Sequence, residues 1–249
     1  MTSMKLATQS AWTLATLACA SLFFAGQVSA APVTPSVTLA SLIDGGGTIL
    51  SGDKLFSNFG YISTGSGFPA ATDIQVQGET VGANYGLDFV SGWHANPGQG
   101  LQTAKITYTV SVVDHPGTYI SDIHLDADPS VIGDAGQALV KLSASDMSHT
   151  TVLPPGSVLQ AYDLVGTSAV VNAFSNTVGL PANLRSLSIE TTILGSADAL
   201  NANASVLHVQ ESFSQAVPEP STSAMALMGL GVLGFVARRK GQASGQVKG

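Results

Sequence analysis

The chain has 249 residues, 10% of them charged and 45% hydrophobic, with a formal net charge of −7 at neutral pH. Residues 31–217 are more lopsided still, with 15 acidic side chains against four basic ones (Lys54, Lys105, Lys141, Arg185). A body charged in this way repels a phosphate backbone, which excludes nucleic acid as a partner.

The chain opens with a short n-region, Met1 to Lys5, carrying one positive charge, followed by an apolar stretch over 11–25 that includes Trp12, Leu17, Leu22 and Phe23. It closes on Val28-Ser29-Ala30, with a modest and a small residue at the −3 and −1 positions of a cut after Ala30. This pattern predicts a secretory signal peptide over 1–30, delivered to the Sec translocon and removed by signal peptidase. The single cysteine, Cys19, falls within it, and Thr16-Leu17-Ala18-Cys19 lacks the leucine expected three residues before a lipidated cysteine. The mature protein is therefore expected to have neither disulfide nor thiol chemistry and to rely on its core.

Over 31–216 the pattern is short apolar alternation broken by Gly, Pro, Asp and Asn, with Lys and Glu scarce, a bias towards strands and turns. Strands are predicted at 54–63, 74–77, 87–91, 104–113, 119–125, 137–143, 158–165, 169–174, 184–194 and 205–214. The clearest is 104–113, where Ile106, Tyr108, Val110 and Val112 share one face and Thr107, Thr109 and Ser111 the other; Asp114-His115-Pro116-Gly117 then reads as a turn. With no helical stretch between strands, the fold expected is all-β, an antiparallel β-sandwich with a jelly roll as the alternative closure.

Several motifs within this body invite a chemical reading. Ser51-Gly52-Asp53-Lys54 matches S-x-x-K of the penicillin-binding enzymes, but K-T-G and S-D-N are missing, and a turn entering a strand explains it better. Asp44-Gly45-Gly46-Gly47 lacks a following Gly-Lys-Ser/Thr and reads as a flexible loop. Trp93 and His94 precede Asn96-Pro97-Gly98 in what looks like an exposed loop, where Trp93 would stack on a sugar ring; the alternative is a loop anchor in the core. At strand spacing Asp122, His124, Asp126 and Asp128 project to one face, a donor set that suits calcium if Asp128-Pro129 and Asp134 bend the chain into a loop. Residues two apart on a strand are about 6.5 to 7 Å apart, too far to share one ion without that bend, and the competing reading is the charged solvent face of an edge strand. The five histidines (His94, His115, His124, His149, His208) show no metal-binding spacing, and no G-x-S-x-G elbow supports a serine triad, so no catalytic residue is assigned.

The C-terminus carries the most specific pattern. Val217-Pro218-Glu219-Pro220 is followed by a Gly-rich apolar run over 221–237 and then by Arg238, Arg239 and Lys240. The run is about 17 residues, or about 25 Å as a helix, the short limit for a transmembrane span, and the basic cluster holds its end in the cytoplasm. Two prolines keep the residues before the span extended and open to a protease. Gly229 to Gly234 spells G-x-G-x-x-G, but with no strand before it and no βαβ unit around it the match is coincidental.

These three parts together resemble the PEP-CTERM sorting signal. The resemblance implies recognition by an exosortase, a membrane-embedded cysteine protease or transpeptidase of Gram-negative bacteria that make extracellular polysaccharide. Pro218, Glu219 and Pro220 match its recognition motif, and Arg238, Arg239 and Lys240 its stop-transfer cluster. The tail then runs on over 241–249. The stretch Gly52-Asp53-Lys54-Leu55-Phe56-Ser57-Asn58-Phe59 also resembles the start of the ectodomain in many proteins bearing this tag. The chain is thus expected to comprise a signal peptide (1–30), a β-sandwich ectodomain (31–216), a sorting signal (217–240) and a cytoplasmic tail (241–249). The expected role is non-enzymatic, at the cell surface or in the extracellular polysaccharide matrix after a stay in the inner membrane; the alternatives are a glycan- or calcium-binding module and a secreted hydrolase.

Overall fold

The structure, a computed structural model, describes residues 35–113, 117–147, 150, 158–166, 170–181, 183–216 and 230. The chain divides into Met1–Ala30 and Ala31–Gly249. The expected signal peptide, with Cys19 and Ala30, lies outside the described residues, as do His115, His149, the sorting residues Pro218, Glu219 and Pro220, and the cluster Arg238, Arg239 and Lys240. Among the described residues no helix is long and apolar enough to cross a membrane; the span expected at 221–237 lies, but for Leu230, outside them.

Among the described residues, fourteen strands, one short α-helix and a 3-10 turn follow in the order β1 (Val37–Thr38), α1 (Leu39–Asp44), β2 (Ile49–Ser51), β3 (Lys54–Thr64), the 3-10 turn (Ala71–Asp73), β4 (Gln75–Val81), β5 (Asn84–Ala95), β6 (Gln99–Val112), β7 (Tyr119–Ala127), β8 (Ser130–Ile132), β9 (Gly136–Ser145), β10 (Leu159–Val165), β11 (Val170–Ala173), β12 (Ser175–Gly179), β13 (Ser186–Ala197) and β14 (Asn203–Ala216). They form two seven-stranded sheets. The first runs β1-β4-β5-β14-β7-β12 with β8 also on β14; the second runs β11-β10-β9-β13-β6-β3-β2. Every pairing is antiparallel. The fold is all-β and sandwich-like, as the alternation predicts.

Alternation along each strand decides what is buried. On β6 Ala104, Ile106, Tyr108, Val110 and Val112 face inwards, and on β14 Val209, Glu211 and Phe213 do. Tyr108 sits at the centre of the core, within 5.9 to 6.5 Å, centroid to centroid, of Phe56, Phe59, Phe89 and Phe213. Its hydroxyl donates across the gap between sheets to Glu211 Oε2, and Thr191 Oγ1 donates to Glu211 Oε1 at 2.5 Å. Glu211 is fully buried with no basic partner among the described residues, and burial pushes its carboxyl up to about 7, against the pull of those two hydrogen bonds.

The Gly52 to Phe59 stretch proves to be structural throughout. Gly52 turns β2 into β3 at φ +55°, and a Cβ there would lie 2.4 Å from the Tyr85 ring. Lys54, 0% exposed, places Nζ 2.6 Å from Asp53 Oδ1 and 3.4 Å from Gln215 Oε1. Phe56 and Phe59 join the aromatic core, while Asn58 takes φ +55° at the bulge between Ser57 and Gly60. Ser51 Oγ donates to Glu79 O at 2.6 Å, so Ser51 and Lys54 serve a turn, not a nucleophile.

Three local expectations change. Leu39–Asp44 is helical: Thr38 caps it by accepting from Ser41 N, Leu39 and Leu42 bury its apolar side, and Gly45 and Gly47 donate back to Ser41 O and Leu42 O, so the glycine patch is a helix terminus, not a flexible loop. β5 runs on through Trp93 to Ala95, because Trp93 pairs with Val206 and Ala95 with Ala204 of β14. β12 was not foreseen, since Ser175-Asn176-Thr177-Val178-Gly179 has no apolar alternation to betray it.

Candidate functional site

β7 holds Ile123, Leu125 and Ala127 in the core and turns Asp122, His124 and Asp126 outwards, the face that alternation assigns them. β7 is not an edge, as β14 flanks it on one side and β12 on the other. Its charged side chains therefore do not guard an open edge but join those of four neighbouring strands. One row across the sheet reads Thr177, His124, Ser212, Gly86 and Glu79. The next reads Ser175, Asp126, Gln210, Asp88 and Gln77.

Hydrogen bonds lock these rows. His124 Nδ1 lies 2.9 Å from Thr177 Oγ1, and its Nε2 lies 3.1 Å from Ser214 Oγ and 2.7 Å from Asp122 Oδ1. Ser214 Oγ donates to Asn84 Oδ1 at 2.7 Å. His208 Nδ1 lies 2.9 Å from Asp88 Oδ1, whose other oxygen accepts from Gln77 Nε2 at 3.1 Å. Gln210 Nε2 donates to Glu79 Oε2. Burial raises the Glu79 carboxyl to about 7; the Gln210 amide opposes this, while repulsion from Asp88 and Asp126 adds to it.

Over these rows lies a groove of about 250 Å³, lined by His124, Asp126 and Thr177 from β7 and β12 and by Gln210, Ser212, Asn84 and Val81 from β14, β5 and β4. Gly86 leaves the neighbouring position in the row without a side chain. A Cβ there would lie 2.1 Å from Glu211 O, so only glycine lets β5 and β14 approach this closely.

The four residues expected to share an ion are dispersed. Asp128 turns away, and its Oδ1 accepts from Leu207 N and His208 N, both at 2.8 Å, which caps the bulge in β14 between Val206 and His208. Among the described residues no three His, Cys, Asp or Glu side chains gather to hold a metal. Trp93, expected on an exposed loop, is 1% exposed and part of the core, so its ring offers no face to a sugar. His94 is exposed on β5. His208, Glu79, Gln210, Ser212 and Asn84 were not singled out from the sequence. Alternation on each strand would have placed them outwards, but which strands stand side by side has no signal in a single chain.

Hydroxyl, imidazole and carboxylate meet at His124, with the Thr177 hydroxyl on Nδ1 and the Asp122 carboxylate beside Nε2. A serine triad needs the hydroxyl on one ring nitrogen and the carboxylate on the other. Ser214 shares the Nε2 side with Asp122 and directs its proton to Asn84, so the hydroxyl opposite the carboxylate is that of Thr177.

Residues 216–240 match the PEP-CTERM protein-sorting motif. No curated protein matches the chain. Among solved structures the chain is similar to the enzymatically active domain of tailspike protein 4 of bacteriophage CBA120, at 12% identity and a TM-score of 0.25, over 61% of this chain and 19% of that one. It is also similar to TmCBM61, solved in complex with β-1,4-galactotriose, at 10% identity and a TM-score of 0.28, over 61% of this chain and 86% of that one. The chain spans about a fifth of the tailspike's length, and likenesses this distant bear on neither ligand nor activity.

Proposed function

From the sorting motif at residues 216–240, we propose that the protein is exported, held in the inner membrane by its C-terminal segment, and processed by an exosortase into a cell-surface or matrix protein whose ectodomain is not an enzyme. The motif carries this reading, with Pro218, Glu219 and Pro220 as the recognition element and Arg238, Arg239 and Lys240 as the stop-transfer cluster. Intact mass and envelope fractionation test the sorting. The wild type is expected to mature to a species ending near Pro218, and changing Pro218, Glu219 and Pro220 to alanine is expected to leave a membrane-bound chain running to Gly249. A full-length tail in both would sink the reading.

The groove beside β7 favours a second role, contact with a neutral matrix glycan. Its walls mix acceptors (Asp126, Asn84), donors (Gln210, Asn176) and hydroxyls (Ser175, Thr177, Ser212), the pairing that vicinal sugar hydroxyls satisfy. The carboxylates on this sheet repel an anionic polymer, which leaves a neutral one. Affinity electrophoresis through the native polysaccharide is expected to retard the wild type and Lys141→Ala alike, and Gln210→Ala or Asp126→Ala much less. Equal mobility of all four would remove this role.

A further inference from the structure

β14 is one of the two central strands of its sheet and is paired to its last residue: Ala216 stands opposite Tyr119, and Gln215 opposite Ile120. Lys54 Nζ holds Gln215 from the second sheet. Only Val217 separates this fixed strand end from Pro218. From Ala216 to the start of the apolar run at Ser221 is five residues, at most about 17 Å of extended chain, and the headgroup layer takes up about 5 to 7 Å of that. β14 itself, 14 residues long, measures about 46 Å at 3.3 Å per residue. A tether this short cannot let the domain turn over.

We infer that the end of the sandwich from which β14 leaves lies against the bilayer surface for as long as the tail is attached, with the opposite end pointing outwards. This rests on the sorting reading above. The surface concerned includes the β4–β5 turn, because Asn84 is bonded to Ser214, and the segment before β13, because Leu184 O accepts from Ile120 N. Charge favours the same orientation. The contacting end carries an exposed Arg185, whose Nη2 reaches Val112 O at 3.4 Å, and Lys54, against Asp53 and Asp146 among its described residues. The far end gathers Asp128, Asp134, Asp163 and Asp198, with no lysine or arginine among its described residues. An anionic bilayer therefore repels the second more strongly than the first.

Cys19 is the sole cysteine, which makes site-directed labelling clean. In a Cys19→Ser background, Ala83→Cys marks the exposed tip of the β4–β5 turn, and Leu200→Cys marks the far end, where Leu200 is 88% exposed. The full chain is reconstituted into phosphatidylethanolamine–phosphatidylglycerol vesicles and treated with a polyethylene-glycol maleimide. Ala83→Cys is expected to react severalfold more slowly than Leu200→Cys. Inserting about 20 Gly/Ser residues between Ala216 and Val217, with a root-mean-square reach of roughly 25 Å, is expected to equalise them. Equal rates without the spacer overturn the inference, and so does slow labelling of Ala83→Cys that persists with it. Protection that develops only when exosortase is added assigns the surface to the enzyme and overturns contact with lipid. A chain that fails to float with the vesicles instead refutes the anchoring itself.

Discussion

The two sheets match in strand number and differ in charge. The strands of the first contain Glu79, Asp88, Asp122, Asp126 and Glu211 and no lysine or arginine. Those of the second contain Lys54, Lys105 and Lys141 against Asp163 and Glu190. On the second sheet's outer face Lys105 pairs with Glu190 at 3.0 Å amid Thr103, Thr107, Thr192 and Ser143, a solvated surface of ordinary kind. The first sheet controls its carboxylates by other means. On its outer face imidazoles stand beside Asp88 and Asp122, amides donate to Glu79 and Asp88, and burial pushes the Glu79 carboxyl up to about 7. A face built this way is preorganised and costly to keep, which is why the groove and not the Ser/Thr face is the candidate site.

The largest effect expected comes from a glycine on each face. Gly86→Ala drives a methyl onto the Glu211 carbonyl, which belongs to the β14 backbone and has nowhere to go. Gly60→Ala meets only the Thr107 hydroxyl, at 2.6 Å, and that side chain can rotate away. Urea denaturation should show Gly86→Ala destabilised by about 3 kcal/mol, the top of the overpacking range, and Gly60→Ala by far less. Similar losses at both sites would mean that β5 and β14 are not packed as closely as the groove requires.

The next effect is a pH dependence arising in the first sheet. A carboxyl whose folded pKa is raised binds its proton more tightly in the folded chain, so stability is greatest below its unfolded value and falls as pH rises through the folded one. For Glu211 the window runs from about 4.5 to about 7, worth roughly 3 kcal/mol at about 1.4 kcal/mol per unit. Glu79 acts in the same direction, but half-exposed and more weakly. The melting temperature should therefore drop between pH 5 and pH 8. Glu211→Gln should flatten most of that slope, since its amide can still meet the Tyr108 and Thr191 hydroxyls, which rotate to suit. A slope unchanged in Glu211→Gln would place the titrating group elsewhere.

Much of this was legible from the chain. Period-two alternation marks ten of the strands and puts Asp122, His124 and Asp126 on one outer face, because side-chain direction is a local property. The groove was not legible, because its opposite wall comes from β14 and β5, some 85 and 40 residues away in sequence, and register between distant strands is fixed by the whole core. Asp128 misleads for a related reason. It continues the alternation of β7 on paper, yet the bulge in β14 offers two backbone amides, and these take its carboxylate. Trp93 reads as exposed in the sequence because Asn96-Pro97-Gly98 marks a turn without saying how far the strand before it reaches.

The smallest effect tests whether the second sheet's face is as inert as its composition suggests. Lys105 and Glu190 are 42% and 43% exposed, so water screens their attraction and two long side chains lose freedom in making it. Lys105→Ala should cost less than about 1 kcal/mol, and a double-mutant cycle with Glu190→Ala should return a coupling that fades further in salt. A coupling of several kcal/mol would show that this face, too, is organised around its charges. The contrast between the sheets would then have to rest on the missing side chain at Gly86 and the crowding of carboxylates around it, not on charge pairing.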